Sequence, residues 1–176
     1  MRHFTLLVCL VALLIATRRW RIAPTPVAAF AVYGALHAAA LAASLRAPSP
    51  LPRQLLFVAS AAALCFATAS LGLRGVRFIG ALPGLLGPLA LLGLTAGAGA
   101  FAYGVLIGKF WQPGFSPGTL AAIAALCTLT VSGAFLICEA AHALGGLWLA
   151  VPWWFAFSGG LWYHERRSDF LNRSRS

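Results

Sequence analysis

Charged residues divide this chain into six uncharged stretches, at 3–17, 22–45, 54–73, 78–108, 110–138 and 140–164. A helix crossing the ~30 Å hydrocarbon layer of a bilayer needs about 20 mostly apolar residues. Five of the stretches reach that length, and the first, at 15 residues, falls short. Only 9% of the 176 residues are charged and 61% are hydrophobic, whereas a soluble domain carries roughly 25% charge because its surface faces water. So few charges cannot cover a water-facing surface of this size, and the partner expected for most of the chain is the lipid bilayer.

These features predict a single all-α domain over 1–176: a polytopic transmembrane helix bundle with about six spanning helices, or five if the first does not cross. The expected helices are 4–17, 24–45, 54–73, 88–108, 119–138 and 147–163, followed by a basic tail at 164–176 that ordering forces scarcely reach. The 4–17 stretch has the length and flanking arginines of a signal peptide but no small-x-small cleavage site before Arg18, so an uncleaved helix is the reading. Pro24 and Pro26 suit a helix start, and Pro48, Pro50 and Pro52 cannot continue one, which makes 46–53 a loop. Pro83, Gly84, Gly87 and Pro88 crowd the start of the fourth stretch, so 78–87 should be interfacial or broken. A turn is expected at 139–146, where Gly145 and Gly146 break the helix.

The net charge of +10 comes from arginines placed between and beyond the apolar stretches. That placement anchors helices at headgroups, and nucleic acid is not an expected partner. With six spans, one side carries Arg2, Arg46, Arg53, Lys109 and four C-terminal arginines; the other carries Arg18, Arg19, Arg21, Arg74 and Arg77. The excess on the first side favours both termini in the cytoplasm. The Arg-over-Lys and Ala-rich bias fits a GC-rich genome, and the expected location is a bacterial cytoplasmic membrane. Cys9, Cys65, Cys127 and Cys138 form no CxxC pair and read as small buried hydrophobes.

Ionisable groups at membrane depth are costly, so each is a candidate for function. His37 lies mid-helix among small residues, where it can make an interhelical hydrogen bond or serve as a ligand. Glu139 and His142 share a helical face at i, i+3 spacing; the alternative is that both mark a loop at the interface. By residue type, His37, Glu139 and His142 could hold one metal or a haem. One Glu-x-x-His pair is too few for a di-metal centre, and Glu165 and Asp169 lie at the far end, so no cofactor is assigned. Ser132 and His142 would stand ~15 Å apart on one straight helix, out of reach for a nucleophile and its base. Pro152, Trp153 and Trp154 fall inside the last helix rather than at its ends, so the tryptophans either fill the bundle or wall a ligand pocket. Glycines at spacing four, Gly80/Gly84, Gly93/Gly97 and Gly104/Gly108, permit close helix packing within the bundle, in a homo-oligomer, or against a membrane partner.

The function expected is therefore a non-enzymatic membrane component that binds or transports a small or lipidic solute, with His37, Glu139, His142, Trp153 and Trp154 as ligand-binding candidates. The alternatives are an assembly subunit of a membrane complex and a metal- or haem-dependent membrane enzyme using His37, Glu139 and His142. Alkaline carbonate extraction of expressing membranes should leave the chain in the pellet; release to the supernatant would refute the bundle.

Overall fold

The computed structural model describes residues 26–44, 50–79, 84, 86–110, 115–140 and 147–173. Among them the chain forms five helices and no strand: α1 (Pro26–Ser44), α2 (Leu51–Ile79), α3 (Leu86–Phe110), α4 (Pro117–Ala140) and α5 (Leu147–Arg173). The architecture is an all-α bundle. Three helical segments, Leu51–Val76, Leu86–Phe110 and Pro117–Ile137, are long and apolar enough to cross a membrane. α1 carries a shorter apolar run, Phe30–Ala42. The helix expected at 4–17 lies outside the described residues.

The expected boundaries hold to within a few residues for α1, α3 and α4 and need correction at α2 and α5. α2 begins at Leu51, inside the stretch read as a loop. Pro52 is tolerated because the first-turn N–H groups have no intrahelical acceptor, and the Pro50 carbonyl accepts from the Arg53 and Gln54 amides. At its other end α2 passes Arg74 and Arg77. α5 likewise runs through Glu165, Arg166 and Arg167 to Arg173, where a tail was expected. Charge decides where a helix leaves hydrocarbon, not where its hydrogen-bond ladder stops, and Glu, Arg and Leu are good helix formers. The break before α3 is visible at Gly84, whose φ of 115° suits glycine alone. The 141–146 connection lies outside the described residues, and Glu139 belongs to the last turn of α4.

Consecutive helices pack against one another, and α1 touches α5 more sparingly. Partner residues show that neighbours run antiparallel, because their numbers rise on one helix as they fall on the next. On α2 and α3, Thr68 faces Gly99, Gly72 faces Thr95, and Gly75 faces Leu91. On α3 and α4, Gly93 faces Ser132 and Thr128, while Gly104 faces Leu120. On α4 and α5, Gly160 faces Ile123 and the Trp153 carbonyl meets the Cys127 thiol. Short connections leave little choice but this up-and-down arrangement.

Small residues set the spacing. A Cβ at Gly34 would stand 2.7 Å from the Ala61 carbonyl oxygen of α2, and one at Gly97 would stand 3.1 Å from the Ala124 carbonyl of α4. Gly93, Gly97 and Gly104 are thus occupied by contacts within the chain. Gly133 and Gly159 have nothing within 4 Å. Large apolar side chains point outward: Leu94 is 67% and Leu129 71% exposed. In water such a surface would drive association; in hydrocarbon it is the matched solvent.

Gly34→Ala should lower stability in detergent by about 1–3 kcal/mol, the usual range for overpacking, because a backbone carbonyl cannot swing aside. Gly133→Ala should be neutral or stabilising by up to about 1 kcal/mol through helix propensity. Thermal unfolding followed by circular dichroism reads both.

Candidate functional site

Tyr103 of α3 is 1% exposed and is among the largest fully buried side chains. A phenol in such surroundings costs roughly 1–3 kcal/mol if its hydroxyl finds no partner. Its partner is His37 of α1, with Nδ1 2.9 Å from the Tyr103 Oη. The phenol donates when the neutral imidazole carries its own proton on Nε2. Gly34, one turn earlier, packs α1 closely against Ala61 and Cys65 of α2, and the His37 side chain itself makes the reach to α3.

Aromatic rings continue from this pair. Tyr103 stacks with Phe157 of α5 at 5.1 Å and 14°, and with Phe57 of α2 at 6.3 Å and 18°. Phe157 in turn stacks on Trp153 at 5.1 Å and 2°. His37 meets Phe157 edge-on at 5.9 Å. Such pairs contribute about 0.5–1.5 kcal/mol each beyond buried area. One slab of rings therefore joins four helices, α1, α2, α3 and α5.

Trp153 ends that slab and begins a cavity. Its Nε1 donates to the Ala96 carbonyl of α3 at 2.9 Å, which fixes the indole plane. Beyond it lies a partly open apolar space of about 70 Å³, walled by Thr68, Gly72, Thr95, Gly99, Trp153 and Trp154. Phe30 of α1 and Val131 of α4 also border it, so every described helix contributes. Gly72 and Gly99 border the space, and their Cβ positions face Thr95 and Thr68 across the α2–α3 contact. Both threonines bond back to their own helices: Thr68 donates to the Leu64 carbonyl at 2.9 Å, and Thr95 to the Leu91 carbonyl at 2.8 Å. With the hydroxyl protons of Thr68 and Thr95 and the Trp153 N–H directed into the protein, the wall is chemically apolar. It suits a hydrocarbon group and offers little to an anion or sugar.

The structure brings together three of the residues singled out from the sequence. Trp153 and Trp154 line the cavity, and His37 joins the ring slab that Trp153 completes. Glu139 stands apart from them. Tyr103 lies at the level of Leu120 on α4, because Gly104 faces Leu120, and Glu139 follows Leu120 by nineteen residues. At 1.5 Å per residue that is ~28 Å along the helix, so Glu139 and His37 are not brought to a common site. His142 lies outside the described residues. Among the described residues no group of three or more His, Cys, Asp or Glu side chains is placed to hold a metal ion. Tyr103, Phe57 and Phe157 were not singled out from the sequence. The one signal available for Tyr103 was its place inside an apolar stretch, five residues before that stretch ends at Gly108.

Comparison with known protein families, with curated proteins and with solved structures finds no match for this chain.

Tyr103→Phe should lower stability in detergent by about 1–2 kcal/mol, since it leaves a polar nitrogen of part-buried His37 without this partner. The His37→Leu/Tyr103→Phe pair should cost less than the two single changes added together, a coupling that a double-mutant cycle of thermal unfolding measures.

Proposed function

We propose that this chain is a non-enzymatic membrane component that binds, or carries across the bilayer, a slender apolar or lipidic solute. The single observation behind this reading is the apolar cavity bounded by Trp153 and Trp154, to which all five described helices contribute. A dry space of that kind admits apolar ligands and resists water, because a buried water needs two to four polar partners. Its volume of about 70 Å³ suits a chain end or a small apolar molecule, well below the ~300–1,000 Å³ of pockets for larger ligands.

The route to the cavity favours lipid. α1 and α5 approach at His37 and Phe157, yet they touch sparingly overall. Phe30 borders the cavity seven residues before His37, ~10 Å back along α1. An opening between these helices would face hydrocarbon, from which an apolar solute enters without crossing water. By the Arg and Lys count, the end of the bundle bearing Arg53 and Lys109 faces the cytoplasm of a bacterial cell.

A diazirine-bearing alkyl probe, photolysed with the purified protein, should label peptides bordering the cavity, near 68–73 and 92–99. Ala69→Phe, which fills the space, should reduce that labelling at least fivefold. Labelling confined to outward residues such as Leu94 and Leu129, or unaltered by Ala69→Phe, would refute the reading.

A further inference from the structure

The five described helices are not joined with equal strength. Close approaches at glycine tie α1 to α2 at Gly34, α2 to α3 at Gly72 and Gly75, α3 to α4 at Gly93 and Gly97, and α4 to α5 at Gly160. No such approach joins α1 to α5 among the described residues, and these two helices touch sparingly. The bundle therefore has one loose seam. The cavity reaches both of its sides, through Phe30 on α1 and through Trp153 and Trp154 on α5.

The inner face of α1 carries the residues that close this seam. Phe30 and His37 are seven residues apart, two helical turns, so they share a face. Phe30 borders the cavity, and His37 holds the Tyr103 hydroxyl at 2.9 Å. Between them a Cβ at Gly34 would stand 2.7 Å from the Ala61 carbonyl oxygen of α2. That contact is made without a side chain, so α1 can roll on it. The groups α1 leans on are held by other helices. Tyr103 is stacked on Phe57 and Phe157, and the Trp153 indole is bonded to the Ala96 carbonyl. Movement of α1 thus takes Phe30 and His37 off the interior together and leaves the rest of the ring slab in place. It also strands the buried Tyr103 hydroxyl, which makes the closed arrangement the resting one.

We propose that α1 is the lateral gate of the cavity and that the His37–Tyr103 hydrogen bond is its latch. With the cavity taken as the solute site, on which the gate rests, α1 rolls on α2 away from α5. Phe30 leaves the cavity rim and an apolar solute enters from the hydrocarbon between α1 and α5. The bond then re-forms over the occupant. No step needs water or a change of charge.

The test is pulsed electron paramagnetic resonance of the full chain in bilayer nanodiscs, with spin labels at Val32→Cys on α1 and Phe155→Cys on α5, both exposed positions. Cys9→Ala and Cys138→Ala leave only Cys65 and Cys127, which are buried from the label. The unaltered latch should give one narrow distance distribution. Tyr103→Phe, and separately His37→Leu, should add a longer population. The control pair Phe66→Cys on α2 and Leu94→Cys on α3, also exposed, should not change. In parallel, the alkyl diazirine should label residues 68–73 at least threefold faster in the two latch variants. Distances and labelling rate both unchanged by the latch variants would overturn the gate alone. A control pair that widens as much as the α1–α5 pair would also overturn it, since the whole bundle would then be loosening. Absence of cavity labelling in every variant would overturn the solute site and the gate with it.

Discussion

A phenol oxygen and an imidazole nitrogen 2.9 Å apart tie α1 to α3, two helices that are not consecutive in the chain. α1 otherwise packs on α2 and meets α5 only lightly. In an apolar interior a hydroxyl without a partner is expensive. The bond therefore fixes the rotation of α1, which brings Phe30 to the cavity edge and the His37 ring against Phe157. The ring slab follows from the same constraint, since Tyr103 can stack on Phe57 and Phe157 only while its hydroxyl points at α1.

Lipid solvation explains why small residues matter so much here. Helices already in hydrocarbon gain nothing by burying leucine, so their association depends on close backbone approach and interhelical hydrogen bonds. Gly34, Gly93, Gly97 and Gly104 provide the approach, each facing the helix next in sequence. The large side chains are sorted accordingly. Leucines such as Leu94 and Leu129 face outward, while Phe57, Tyr103 and Phe157 stack in the interior. Glycines also border the open spaces, Gly72 and Gly99 at the cavity and Gly159 and Gly160 at a groove between α4 and α5.

Much of the helix plan was legible in the letters, because length and apolarity are properties of a continuous segment. The boundaries differ for two reasons: at Arg74 and after His164 arginine marks the edge of hydrocarbon and not a helix end, and at Leu51 a helix starts through Pro52 because its first turn needs no proline N–H. The candidate site was legible in part. His37, Trp153 and Trp154 drew notice as costly or oddly placed residues, and each borders the slab or the cavity. Glu139 drew notice on the same grounds but stands at the far end of α4. Tyr103 went unnoticed because a tyrosine among apolar residues shows no need for a partner until one knows how deeply it is buried.

Sequence alone determined the helix plan. Sixteen charges gathered at the ends of apolar stretches of about 20 residues suit helices whose backbone is satisfied within each segment and which are long enough to cross a bilayer. Tertiary structure decided which polar and aromatic residues share a depth. The up-and-down path of the chain brings residues far apart in number to one level on helices that are not consecutive, such as His37 and Tyr103 or Ala96 and Trp153. That level depends on the stagger between helices, set by glycine contacts across interfaces, and a one-dimensional pattern carries no record of which faces will meet.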